Sequence, residues 1–285
     1  MEKYKDQMPS IYTISLFGAE KILKKIQFFS QREKLLLKSD SFLDNHRKHN
    51  ILIDRMEFFT PEHEMEDTAK KLKDLFLSVR DEEVSGLPDD VQISVCEEPE
   101  KESEKKGQVF LEIQKKPYRF SFELCLRPYH RHNIYPRKKS RESIWNQEVF
   151  TYYTFPPEEY LAVAFYEILN GLEFINDLNW YKEVYEILNR EPLEGRKVWE
   201  SLEYLLTAYP IPSVEKRLIT IADYKNYGYM KKRWKSRSRR CKDRYPQWEQ
   251  VIALLVDFFT PIFEGVMKDE IFLGDWMPQL GRYLD

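Results

Sequence analysis

The segment Asn50–Pro61, NILIDRMEFFTP, decides how this chain is read. It opens on an apolar run, Ile51–Leu52–Ile53, and sets Asp54 and Glu57 around Arg55 and Met56. It closes on Phe58–Phe59 and a Thr60–Pro61 turn. The run reads as an extended strand with acids at its edge. Such a strand suits the wall of a metal-phosphate site, and it equally suits an amphipathic strand with solvated ends. The segments on either side bear on that choice.

Upstream, Ser15–Phe29 has the spacing of a helix, with Leu16, Ile22, Ile26 and Phe29 on its apolar positions. Leu35–Leu36–Leu37 reads as a strand that turns polar at Lys38–Ser39–Asp40–Ser41. Downstream, Thr60 can cap a helix over Glu62–Val79, whose early acids favour its positive end. Three alternating strands follow, at Val91–Cys96, Val109–Gln114 and Tyr118–Leu126. The connection Glu97–Gly107 is too charged to pack and reads as a mobile hairpin tip. Ser85–Asp90 and Lys116–Pro117 read as turns, and Arg127–Arg141 as a basic loop.

From Pro156 the pattern changes. Glu158–Leu169, Leu178–Leu188, Val198–Tyr209, Val214–Tyr224, Gly228–Arg240 and Trp248–Val266 all read as helices, punctuated by Pro210, Pro212, Pro246 and Pro261. The expectation is an α+β domain over residues 1–150 and an all-α domain over 151–285.

Bulk composition bounds the rest. With 285 residues, 42% hydrophobic and 33% charged, the chain can bury a sizeable core. A net charge of −3 gives no global attraction to nucleic acid or membrane, so polyanion binding needs a local patch. Cys96, Cys125 and Cys241 lack metal-ligand spacing, and Met1–Ser10 is polar; both point to a cytoplasmic protein with reduced thiols. No apolar run reaches the length that a membrane span needs.

Glu57 ends one strand, and Glu123 lies on another, opposite its apolar set. A two-metal phosphoryl-transfer site needs about three carboxylates on neighbouring strands. Asp54, Glu57 and Glu123 supply that number, although half-exposed strands often carry acids for solvation alone.

Taken together, residues 35–62 resemble the core of the AbiEii-type nucleotidyltransferases, an abortive-infection toxin family. Leu35–Leu37 match its strand, and Ser39 to Leu43 fall on its Gly-Gly-Thr-Ala-Leu segment. Arg55–Met56–Glu57 fall on its Asp-x-Asp, and Phe58–Phe59–Thr60 match directly. Tyr118–Tyr129 resembles the strand bearing the third carboxylate, here Glu123. Pro157–Leu169, Asn176–Leu188 and Lys231–Ile262 are similar to the helices that follow. The resemblance implies a nucleotidyltransferase-like mixed sheet with flanking helices. It also implies transfer of a nucleotide to an RNA or protein acceptor with Mg²⁺ held by Asp54, Glu57 and Glu123, and an antitoxin or other protein partner. Ser39 and Asp40 would meet the nucleotide, and Asp177 and Lys182 would line the cleft.

The departures are as informative. Ser39–Asp40 replace glycines that would admit phosphates. Arg55 stands for the first metal-binding aspartate, and Ala164 for a phosphate-binding lysine. Asn176 and Trp180 replace an arginine and an aspartate, while Asp177, Glu183 and Tyr185 remain. The alternative is a catalytically inactive scaffold that binds RNA, nucleotide or protein.

Lys231–Arg244 packs nine Lys/Arg into fourteen residues around Trp234. Lys231, Lys232, Arg233, Trp234 and Arg237 are candidates for backbone contact and base stacking; a solvated helix face is the plain alternative. His46/His49 and His130/His132 lack partners at zinc spacing. Glu112–Ile113–Gln114 lacks the acid-x-Lys of a PD-(D/E)xK nuclease.

Overall fold

The computed structural model describes residues 10–40, 43, 52–78, 91–96, 107–129, 134–143, 146–240 and 245–284. The expected turn at Ser85–Asp90, the tip at 97–106 and all four paired histidines lie outside these. The chain divides into two units, Met1–Pro156 and Pro157–Asp285.

The first unit is built on a seven-stranded mixed sheet. Its strands are β1 (Leu36–Leu37), β2 (Arg55–Pro61), β3 (Gln92–Val95), β4 (Gln108–Lys115), β5 (Tyr118–Tyr129), β6 (Arg137–Glu142) and β7 (Val149–Thr154). Their order is β3-β4-β5-β2-β1-β7-β6. The β2–β5 and β1–β7 pairs are parallel and the others antiparallel. Strand alternation sorts the side chains. Met56 and Phe58 of β2 join Phe122, Leu124 and Leu126 of β5 and the apolar set of β4 in one core.

Two helices complete that core, α1 (Ile11–Ile26) and α2 (Met65–Ser78). Ser10 caps α1 by accepting the Thr13 N–H. Every residue from 14 to 26 is buried, so α1 is enclosed on all sides. Its lysines are accommodated by specific contacts, as buried cations must be. Lys21 Nζ donates to the Val91 carbonyl at 2.5 Å, Lys24 lies 3.7 Å from Glu20 and from Glu148, and Lys25 sits over the Phe76 ring.

Four expectations shift. Thr60 lies in β2 and caps no helix: a 3-10 turn, Glu62–Glu64, precedes α2. Strand β2 begins at Arg55, with Leu52–Asp54 in no regular element. The basic segment 127–141 is only partly a loop: β5 runs on to Tyr129, and Arg137 onward forms β6. Strand β7 has no counterpart among the elements expected from sequence.

The second unit is mainly helical: α3 (Pro157–Gly171), α4 (Asn179–Leu188), α5 (Gly195–Ala208), α6 (Val214–Asp223), α7 (Gly228–Arg240) and α8 (Trp248–Lys268). A small sheet adds β8 (Leu193–Glu194), β9 (Asp275–Met277) and β10 (Arg282–Leu284), in the order β10-β9-β8. Helix α8 is long and apolar enough to cross a bilayer by length and composition. Here it packs Trp248, Val251, Leu255, Phe258 and Phe259 into the unit's interior, with Phe259 stacked on Phe165 of α3 at 3.8 Å. Pro261 lies inside α8 rather than at its end.

Candidate functional site

Parallel pairing of β2 with β5 sets Arg55 opposite Glu123 and Glu57 opposite Cys125. The period of two puts Arg55, Glu57, Glu123, Cys125 and Arg127 on the same face, away from the α1–α2 core. Lys38 follows β1 and joins them through its backbone N–H, which donates to the Glu57 carbonyl.

The side chains form one charged network. Glu57 Oε2 accepts from Lys38 Nζ at 3.0 Å, and Glu57 Oε1 accepts from Arg127 Nη2 at 3.2 Å. Arg55 lies between the two acids: its Nη2 is 3.5 Å from Glu57 and its Nε is 3.7 Å from Glu123. Arg55 Nε also donates to Cys125 Sγ at 3.1 Å. Burial pushes the Glu57 carboxyl up, but Lys38 and Arg127 outweigh it and hold the group below its ordinary range. The Cys125 thiol is pushed up to about 12, first by burial and then by its hydrogen bond with Glu123. Burial lowers Arg55, yet its Cys125, Glu123 and Glu57 neighbours raise it overall.

Asp40 sits in a second network. It accepts from Lys139 Nζ at 3.2 Å and from the Tyr152 hydroxyl at 2.8 Å. Burial raises its carboxyl, while Lys139 and Tyr152 bring it below its ordinary value. Ser39 is half-buried beside it. Asp54 is exposed, and its carbonyl accepts the Glu123 N–H at 2.8 Å.

The residues named for Mg²⁺ do not fit that ion as they stand. Two metal-bridging carboxylates need open oxygen lone pairs; here a guanidinium occupies the space between Glu57 and Glu123. Among the described residues, no group of three or more His, Cys, Asp or Glu is arranged to hold a metal.

The other candidates belong to the second unit. Asp177 Oδ1 accepts the Asn179 N–H at 3.0 Å at the start of α4. Lys182 lies 3.4 Å from Glu186 and places its ammonium over the Tyr245 ring. Glu183 accepts from the Tyr160 hydroxyl. Ala164 is fully buried in α3.

The basic helix α7 is divided. Trp234 is only 4% exposed; it packs against Tyr245 and Trp248 and donates to the Pro246 carbonyl at 3.0 Å. The reading of Trp234 as an exposed stacking surface is therefore corrected: it is a core side chain. Arg233 donates to the carbonyls of Glu173 and Ile175, both at 2.5 Å. Lys231 pairs with Glu249 at 2.6 Å, and Arg237 lies 3.9 Å from Asp177. Lys232, Lys235 and Arg239 are exposed. The signal for this division was in the sequence: Met230 and Trp234 are four residues apart on one helical face, and both are buried.

No family model matches the chain, and no curated protein matches it. Two solved structures from Helicobacter pylori are similar to it. One is JHP933, with a TM-score of 0.37 and 11% identity over 92% of this chain and 96% of that one. The other is a protein put forward as a nucleotidyltransferase, with a TM-score of 0.38 and 10% identity over 89% and 95%. Both TM-scores lie below one half.

Proposed function

We propose that the chain is a nucleotidyltransferase-type module whose acidic site is closed by an internal cation, and that it binds RNA without transferring a nucleotide. The observation that carries this reading is Arg55 between Glu57 and Glu123. Two neighbouring carboxylates repel each other, and positive charge between them relieves that repulsion, as a divalent ion does in phosphoryl transfer. Arg55 supplies it here as a permanent cation that can only donate hydrogen bonds and offers no coordination position. Asp40, held by Lys139 and Tyr152, occupies the position where the resemblance would place phosphates. RNA contact falls to the outward cations of α7, Lys232, Lys235 and Arg239.

A second reading keeps the toxin role: Mg²⁺-dependent transfer to an RNA or protein acceptor, restrained by an antitoxin. One observation favours it, namely that Glu57 and Glu123 share a face of two adjacent parallel strands. It requires Arg55 to swing away. The deciding experiment incubates the full chain with Mg²⁺, each labelled nucleoside triphosphate and total RNA. The expected result is no label on RNA or protein, together with RNA binding that weakens as salt rises. Label transfer that disappears in Glu57→Gln overturns the silent reading in favour of the toxin reading.

A further inference from the structure

We infer that the RNA this chain takes is single-stranded, that one of its bases stacks on Tyr229, and that its phosphates follow Lys232, Lys235 and Arg239 along α7. This rests on the RNA reading above and adds to it the strand class and the stacking residue. The helical period places these four residues within about a third of the circumference of α7, opposite the buried Met230 and Trp234. From Tyr229 to Arg239 the stripe rises about 15 Å. Its three cations are exposed and have no acidic partner among the described residues. Lys231 and Arg237, on the flanks of the stripe, instead lie against Glu249 and Asp177. The helix thus neutralises its flanking cations and leaves the outward row open to an anion.

The ring at the head of that row is already held. Tyr229 is 49% exposed, and one face of its ring is covered by the Arg233 guanidinium, 5.7 Å from the ring centroid. Arg233 is itself fixed by the carbonyls of Glu173 and Ile175. A ring oriented before the ligand arrives loses little freedom when a base lands on its other face. Tyr227, 42% exposed, tilts against Tyr229 at 6.0 Å. Phe174, 79% exposed, stands between the two residues whose carbonyls Arg233 holds. Exposed rings at the end of a row of unpaired cations combine a stacking platform with a backbone track, the pairing that binds single strands. A duplex can use the cations but not the ring, because its bases are stacked on one another. Direction follows from charge. Glu173 and Asp223 line a depression with Tyr224 and Tyr227 at the Tyr229 end, and they repel phosphates. The strand therefore runs from Tyr229 toward Arg239.

The test uses the full chain and a fluorescein-labelled oligouridylate, read by anisotropy. Two companions are an abasic ribose-phosphate oligomer of the same length and an RNA duplex. The expected result is tighter binding of the oligouridylate than of the abasic oligomer. Tyr229→Ala should weaken oligouridylate binding about tenfold, with its salt slope unchanged and duplex binding unaffected. Tyr229→Phe should keep the affinity, since the ring remains. Lys232→Gln should lower the salt slope by about one for both RNAs. Equal binding of the oligouridylate and the abasic oligomer overturns the inference while leaving RNA binding itself in place. So does a Tyr229→Ala variant that binds the single strand as wild type does, or that loses single strand and duplex equally. No binding of any of the three removes the RNA reading and this inference with it. The abasic comparison leaves the protein unaltered, so it decides the matter even where a variant folds poorly.

Discussion

The β1–β2–β5 face and the α7 helix both present charge and both invite a ligand on sequence grounds, yet the structure uses the charge differently in the two places. On the sheet, Lys38, Arg55 and Arg127 pair with Glu57 and Glu123 across strands, and the groups stay half-exposed. On α7, Arg233 and Trp234 are built into the unit through backbone carbonyls and buried rings, while Lys232, Lys235 and Arg239 face outward. Sheet charges pair among themselves, three cations with two acids, and helix charges are split between architecture and solvent. A run of charge in sequence therefore does not report which of its members are free to meet a ligand.

Substitutions ordered by size put this contrast at risk. Trp234→Ala should be the most costly, about 3–5 kcal/mol, because it empties a buried aromatic site; denaturant unfolding of the full chain measures it. A loss near zero would return Trp234 to the surface and restore its candidacy for stacking. Arg233→Ala follows at about 1–3 kcal/mol, since two carbonyls lose their donor. Arg233→Lys should recover only part of it, because an ammonium cannot span both carbonyls as the planar fork does.

The sheet network should respond less. The Arg55–Glu123 coupling, taken from an Arg55→Ala and Glu123→Ala double-mutant cycle, should be about 0.2–1 kcal/mol because both groups are partly solvated. Its pH dependence has a definite sign. Lys38 and Arg127 hold Glu57 below the ordinary value of 4.5 in the folded state, against the opposing effect of burial. The Glu57 contribution is thus fully present above that value and is lost as pH falls through the lower folded value. The stability gap between wild type and Glu57→Gln should be flat at neutral pH and close during acid titration. A gap that widens on acidification would contradict the pairing. Smallest of all, Lys232→Glu should move stability by under about 0.5 kcal/mol. Its effect should appear instead as a shallower salt dependence of RNA binding, by about one unit of slope for each phosphate left without its cation.

Much of this was legible in the sequence. Helical spacing located α3 to α6 and α8 because each buries an apolar stripe, and α7 through Met230 and Trp234 alone; alternation located β4 and β5 for the corresponding reason. Strand β6 was not legible, because Arg137–Glu142 has no apolar member and its alternation carries no hydrophobic signal; β7, Val-Phe-Thr-Tyr-Tyr-Thr, carried a strand signal that was not read. Strands β8 to β10 are too short to show a period. In the site, alternation placed Glu123 away from its strand's apolar set, whereas Glu57 was read as the end of its strand and lies inside β2. That Arg55 stands between them depends on the parallel register of β2 against β5, which joins segments about 70 residues apart, as the Arg55–Cys125 hydrogen bond shows. Register of that kind is set by tertiary packing and not by local pattern. Trp234 is ambiguous in sequence because a tryptophan amid cations fits stacking as well as burial, and only its spacing from Met230 tells them apart.

The enclosure of α1 also dictates an order of events as the chain is made. This helix is made before the strands that enclose it, and its partners come late: Glu20 accepts from Ser143, 123 residues further on, and Lys24 rests over Phe150. Until β7 has emerged, the apolar surround of α1 is incomplete and its lysines lack their final contacts. The first unit must therefore condense after, and not during, most of its own synthesis, with the slow closure that non-local strand pairing imposes. A nascent chain halted before residue 150 should remain open to protease, and one released past the end of β7 should abruptly resist it.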